Sequence, residues 1–181
     1  MKRVNANSLI KETLVVVTIA LLLSLLVRGS LVEVFWIPSG SMEPTLVEDD
    51  RVVVLRTAAI DRGDVIVFKP PPAPGATEAH YIKRAIGLPG DVVELIDGQV
   101  HVNGTKLTEP YARLDQATYG PTTVPTGHVF FLGDNRADSN DSREIGTVPL
   151  NDVVGEAVAV VWPFTHAAAG LTAAPAHAAT R

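Results

Sequence analysis

The 181-residue chain is 46% hydrophobic and 19% charged, with 13 prolines, 14 glycines and no cysteine. That composition describes one folded domain and excludes a disordered or collagen-like chain, a disulfide scaffold, a thiol nucleophile and a thiolate-bound zinc. The net charge of −5 divides into +2 over residues 1–38 and −7 over the remainder, and an acidic body argues against nucleic acid as a partner.

The first element is an apolar run. From Leu14 to Val27 the chain reads LVVVTIALLLSLLV, uncharged and apolar on every face. Fourteen helical residues rise only about 21 Å against a hydrocarbon core of about 30 Å. Adding Leu9 and Ile10, with Lys11 and Glu12 snorkelling toward the headgroups, extends the span to about 28 Å. Lys2, Arg3 and Lys11 precede the run and only Arg28 closely follows it, so the positive-inside bias puts the N-terminus in the cytoplasm. The expected organisation is a cytoplasmic stretch over 1–12, a transmembrane anchor over 13–30 and an extracytoplasmic domain over 31–165. A cleaved secretory signal is the competing reading, and it lacks a good small-residue cleavage site, since Val27 and Gly29 form only a weak pair.

Beyond the anchor, short β-branched runs alternate with turn residues, which predicts a mainly β, antiparallel domain. The expected strands are Val32–Ile37, Arg51–Arg56, Asp64–Lys69, Tyr81–Gly87, Asp91–Ile96, Gln99–Val102, His128–Leu132 and Val153–Trp162. Asp97-Gly98 reads as a tight hairpin and Asn103-Gly104 as a second turn. Pro70 to Gly75 lack ladder donors and form a surface loop, and residues 105–127, with Pro110, Pro121 and Pro125, read as a long irregular excursion. The alanine-rich residues 166–181 are expected to be a disordered tail.

Candidate chemistry is sparse. The five histidines show no HExxH and no i, i+4 pair, so a metal site is unsupported, and there is no GxSxG for a nucleophile elbow and no Walker or GxGxxG motif for phosphates. The segment IPSGSMEPTL at 37–46 places two serines around a glycine between two prolines. A stiff turn of this kind can present one hydroxyl and its neighbouring amides, although an ordinary proline-bounded turn has the same composition. A serine needs a base, and with no triad spacing for histidine the candidate is a neutral lysine. Lys69 and Lys106 sit beside a loop and a turn, as solvated cations do. Lys83 interrupts an apolar strand in which Tyr81, Lys83 and Ala85 share one face and Ile82, Arg84 and Ile86 the other, so one of the two adjacent cations is expected to point inward. To act as base near neutrality, a lysine needs a pKa about 2 to 3 below its ordinary value of about 10.4. An exposed edge-strand lysine is the alternative. Finally, GDNRADSNDSR at 133–143 is dense in polar groups. It is either a solvated loop, which composition favours, or an internal network in which Arg143 and Asp141 form a bidentate pair and Ser139 holds a lysine in place.

Taken together, these stretches resemble the type I signal peptidases, membrane-anchored serine–lysine endopeptidases of bacteria. The matching blocks are IPSGSMEPTL at 37–46, RGDVIVF at 62–68, YIKRAIGLPGD at 81–91 and GDNRADSNDSR at 133–143, in the family's order behind an anchor. The resemblance covers roughly residues 9 to 163. It implies an antiparallel catalytic domain behind one transmembrane helix in the bacterial inner membrane, with secretory preproteins and the lipid bilayer as partners and no metal or cofactor. It further implies removal of signal peptides after small residues of the Ala-x-Ala kind, with Ser41 as nucleophile and Lys83 as general base. Ser139 would orient the lysine amine, Ser39 and the Ser41 amide would form the oxyanion hole, and Asp141 and Arg143 would be structural. Phe35, Ile37, Met42, Leu46, Tyr81 and Ile82 match positions lining shallow substrate pockets. The departure is Ala137-Asp138, where many members carry an Asp-Asn-like pair, and the loop contacts of those side chains are therefore open. A narrow-client sister peptidase, such as one that trims a conjugation pilin, would share every motif. An inactive anchored domain that binds peptides would share them by chance.

Overall fold

A computed structural model describes residues 6–56, 59–71, 79–164 and 171. Helix α1 (Ala6–Leu31) extends over 26 residues, about 39 Å, and passes directly into strand β1 (Val32–Trp36). Leu14, Val15, Val16, Val17, Ile19, Leu21 and Leu22 on this helix are all about half exposed or more, so none of the described residues covers them. Among the described residues no helix is long and apolar enough to cross a membrane.

The body consists of two antiparallel sheets. Seven strands lie in the order β1, β2 (Arg51–Leu55), β11 (Val153–Trp162), β3 (Val65–Phe68), β4 (Tyr81–Gly87), β9 (His128–Leu132) and β10 (Val148–Pro149). Four more follow the order β7 (Thr105–Lys106), β6 (Gln99–Val102), β5 (Val92–Ile96) and β8 (Tyr119–Thr123). All eight expected strands are present, trimmed by a residue at some ends. Alternation explains β2, where Val52 and Val54 are buried between exposed Arg51 and Leu55. β3, by contrast, is buried at all four positions, as a short continuous apolar run implies when both faces of a strand are covered.

The 105–127 stretch departs from expectation by contributing β7 and β8. β8 contains Gly120 and Pro121 and still pairs with β5, through Val92 with Thr123 and Leu95 with Tyr119. It lies at the sheet edge, where a proline's missing N–H costs no ladder bond, and its register is set by its partner and not by its own pattern. Asn103 ties the turn before β7, donating from Nδ2 to Asp91 Oδ1 at 2.8 Å and accepting from Val92 N at 2.9 Å. The expected tail lies outside the described residues except for Leu171, which is buried in the core, and most of the proline loop lies outside them as well.

Three apolar clusters form the core. Ile37, Met42 and Leu46 from the β1–β2 loop pack with Val52, Val54, Val65, Val67 and Ile82. Ile66, Phe68, Ala85 and Phe131 form a second cluster on the other face of the seven-stranded sheet, and Ile86, Val93, Leu95, Phe130 and Leu132 fill the space toward the four-stranded one. β4 contributes to all three, and it carries the two adjacent cations.

Candidate active site

The β1–β2 loop is a rigid turn. Ile37 N donates to Asp50 O at 2.9 Å and Asp49 N to Ile37 O at 3.0 Å, closing its base. Within it Gly40–Met42 form one 3-10 turn, and Met42 and Leu46, both fully buried, anchor it to the core. Ser41 is thereby held at 7% exposure, with its hydroxyl toward β4. A second segment grips the turn from outside: Asn135 N donates to Ser41 O at 3.1 Å, and Asn135 Nδ2 to Gly40 O at 3.2 Å.

Lys83 reaches this turn from β4. Its Nζ donates to Ser41 Oγ at 2.8 Å and to Ile82 O at 2.9 Å, and the residue is 5% exposed. The amine lies 5.4 Å from the centroid of the Tyr81 ring. Ser39 Oγ stands 3.3 Å from Ser41 Oγ. The edge-strand alternative for Lys83 fails, because β4 lies between β3 and β9.

Two clefts share Ser39 and Lys83. One, of about 210 Å³, is lined by Ser39, Ser41, Tyr81, Lys83, Asp138 and Asn140. The other, of about 240 Å³, is bounded by Phe35, Trp36, Pro38, Ser39, His80, Ile82 and Lys83. Of the six expected pocket residues, Tyr81 lines the first cleft and Phe35 and Ile82 the second. Ile37, Met42 and Leu46 line neither and are core residues beneath the turn, since apolar side chains that fix a loop are drawn inward.

Comparisons with known proteins give the family. A family model described as signal peptidase, peptidase S26, matches residues 10–162. The chain belongs to this family. It is 42% identical to a probable signal peptidase I-2 of Synechocystis over 80% of this chain and 69% of that one. It is 34% identical to a signal peptidase I of Bacillus licheniformis over 90% of this chain and 94% of that one. The crystal structure of a signal peptidase I from Enterococcus faecalis V583 is 32% identical, covers 54% of this chain and 96% of its own, and has a TM-score of 0.47. As a member of S26 the protein is a serine peptidase, a hydrolase of peptide bonds.

In this S26 peptidase one implied contact is not made. Ser139 Oγ is buried without a hydrogen-bond partner in this structure, and the lysine amine donates to the Ile82 carbonyl. Ser139 is nonetheless adjacent to the site, because a Cβ on Gly133 would come within 2.2 Å of Ser139 Oγ and 2.6 Å of Ser41 O. Asp141 and Arg143 form the expected bidentate pair, with Nε donating to Oδ1 at 2.8 Å and Nη2 to Oδ2 at 2.9 Å. Burial opposes the charge on Arg143, but its bonds to Asp141 and Asp115 prevail and raise its pKa above the ordinary arginine value. Residues 133–143 are therefore an internal network and not a solvated loop, with Asp134, Arg136, Asp141 and Ser142 all buried.

Sequence reasoning missed most of what surrounds the pair. Both adjacent cations point inward, not one, because both faces of β4 are covered. Arg84 is 1% exposed and makes a two-pronged ion pair with Asp134, at 2.9 and 2.6 Å. It also donates to Gly63 O at 2.7 Å and Leu171 O at 3.1 Å. Its guanidinium lies 4.0 Å from the centroid of Tyr111, whose hydroxyl pKa is pushed well up by burial and by Glu109 nearby, so that the ring stays neutral. The 105–127 excursion also grips the 133–143 network. Glu109 pairs with buried Arg136 at 2.6 Å, Asp115 with Arg143 at 2.8 Å, and Arg113 with Glu43 of the nucleophile turn at 2.7 Å. No local pattern marks Glu109, Arg113 or Asp115, since each finds its partner more than twenty residues away.

Proposed function

We propose that this peptidase removes N-terminal signal peptides from secretory preproteins, cutting after small residues with Ser41 as nucleophile and Lys83 as general base. The carrying observation is the 2.8 Å contact between Lys83 Nζ and Ser41 Oγ, both on buried residues. With the amine neutral the hydrogen bond reverses, so that Ser41 donates and the lysine lone pair accepts. Lys83 then takes the serine proton as Oγ bonds to the scissile carbonyl carbon, and the resulting oxyanion accepts from the Ser39 hydroxyl and the Ser41 amide. Collapse breaks the C–N bond, the leaving amine takes the proton from Lys83, and water activated by the same amine hydrolyses the acyl-enzyme. Ser139 is a secondary orienting group, for which a rotation of its unpartnered hydroxyl toward the amine is required.

The anchor belongs to the same reading. The uncharged run from Leu14 to Val27 lies within α1, and Arg56 N donates to Leu31 O at 3.1 Å, fixing the helix end to β2. A single span with a cytoplasmic N-terminus holds the catalytic domain, residues 31–165, on the outer face of the bacterial inner membrane. Enzyme and membrane-held precursor then share a plane, which raises their effective concentration.

The test is cleavage of a purified preprotein by the detergent-solubilised full chain beside Ser41→Ala and Lys83→Met. Wild type cleaves, with a rate that rises from pH 6 to pH 9 as the base loses its proton, and both variants lose at least about 10³-fold. Cleavage by Lys83→Met, or a flat pH profile, removes the lysine from the mechanism.

A further inference from the structure

The two clefts share Ser39 and Lys83 and differ in charge. Among the described residues, the lining of the cleft between Phe35 and Ile82 contains no carboxylate. The lining of the cleft that includes Ser41 contains one, Asp138, beside the amide of Asn140. The Asp138 side chain is exposed and makes no hydrogen bond or ion pair with any described residue. Its backbone, however, is fixed. It ends the 3-10 turn Arg136–Asp138, its N–H donates to Asn135 O at 3.1 Å, and the turn begins at an arginine that is 2% exposed and bound by Glu109 and Gly133 O. An anion on a rigid turn, with no partner of its own, can pair with an incoming cation at little ordering cost.

A peptide crossing Ser41 places its acyl side in the apolar cleft, which suits small uncharged residues. Its leaving side then enters the cleft that Asp138 lines. In the reactive state Lys83 is a neutral amine, so Asp138 sets the charge of this cleft. The new α-amine is also released here, and it becomes an ammonium once protonated.

Building on the function proposed above, we propose that Asp138 is a specificity-determining residue, whose carboxylate selects substrates with a basic side chain at the first position after the scissile bond and discriminates against an acidic one. The contact is solvent-accessible, so the effect is modest. A Lys substrate exceeds a Glu substrate by about 3- to 10-fold in kcat/KM, and the preference shrinks at high salt.

The experiment uses the full chain in neutral detergent and two preproteins identical except for Lys or Glu at the first position after the cut. They are cleaved in competition, so that the ratio does not depend on the fraction of active enzyme. A second pair carries the same exchange two residues before the cut. The wild type shows the preference on the first pair, Asp138→Glu retains it, Asp138→Asn brings the ratio close to one, and Asp138→Lys inverts it. A ratio that is equal in wild type and Asp138→Asn, or an Asp138→Asn effect larger on the second pair, overturns the assignment. Cleavage of neither preprotein by the wild type overturns the underlying function, and this inference with it.

Discussion

Lys83 and Arg84 are neighbours on one strand, both cationic by type and both buried, yet their surroundings differ. Arg84 faces a carboxylate and two carbonyls, with Asp134 held at 2.6 Å, and its fixed charge is matched by a fixed opposite charge. Lys83 donates to a serine hydroxyl and a carbonyl, at 2.8 and 2.9 Å, and under the proposed mechanism these neutral oxygens suit an amine that gives up and regains a proton. The alternation of a strand places the two side chains on opposite faces, so one strand supports two electrostatic designs without interference.

The largest test of this contrast exchanges each cation for methionine. Lys83→Met abolishes cleavage while its stability in urea stays near or above wild type, because an apolar chain of similar volume replaces a buried amine. Arg84→Met leaves Asp134 as an uncompensated buried charge and costs about 3 to 5 kcal/mol in the same titration. Equal stability of the two variants would erase the distinction. A smaller effect is expected at the join between the two designs. Gly133→Ala drives a methyl against Ser139 and the Ser41 carbonyl, lowering stability by about 1 to 3 kcal/mol and reducing kcat more than it raises KM, since the nucleophile is displaced. The smallest effect belongs to a pair that resembles Arg84–Asp134 only on paper. Arg56 meets Glu33 at 2.9 Å, but both are about half exposed, and Arg56→Ala changes stability by less than about 0.5 kcal/mol in urea titrations.

The same contrast explains what the sequence revealed. Strands such as β2 and β4 are legible because alternation and flanking turns are local signals, and the Asp141–Arg143 pair because its partners are two residues apart. Ser41 and Lys83 were legible as a chemical requirement, a hydroxyl in a stiff turn and a lysine in an apolar strand, sharpened by the order of the four motif blocks. β7, β8 and β10 escaped notice because two to five residues rich in proline and polar side chains take their pairing from a neighbour. The expectation that one of the two adjacent cations points inward holds only for a sheet with one covered face, and here both are buried. The grip of Glu109 and Asp115 on the 133–143 network, and of Arg113 on the nucleophile turn, belongs to tertiary contacts that no local window contains. So does the unpartnered Ser139 hydroxyl.

The place of β11 has a temporal consequence. In the seven-stranded sheet the pair that carries the Ser41 turn, β1 and β2, is joined in the backbone ladder to the strands around Lys83, β3, β4, β9 and β10, through β11, which pairs with both β2 and β3. A nascent chain that has not yet delivered residues 153–162 already contains Ser41 and Lys83 but lacks the strand that joins their supports. Long-range closure of this kind is late and slow in folding. On that order the support that holds Ser41 against Lys83 is complete only after residues 153–162 have been made, and until then the growing polypeptide lacks the strand that joins the two halves of the sheet.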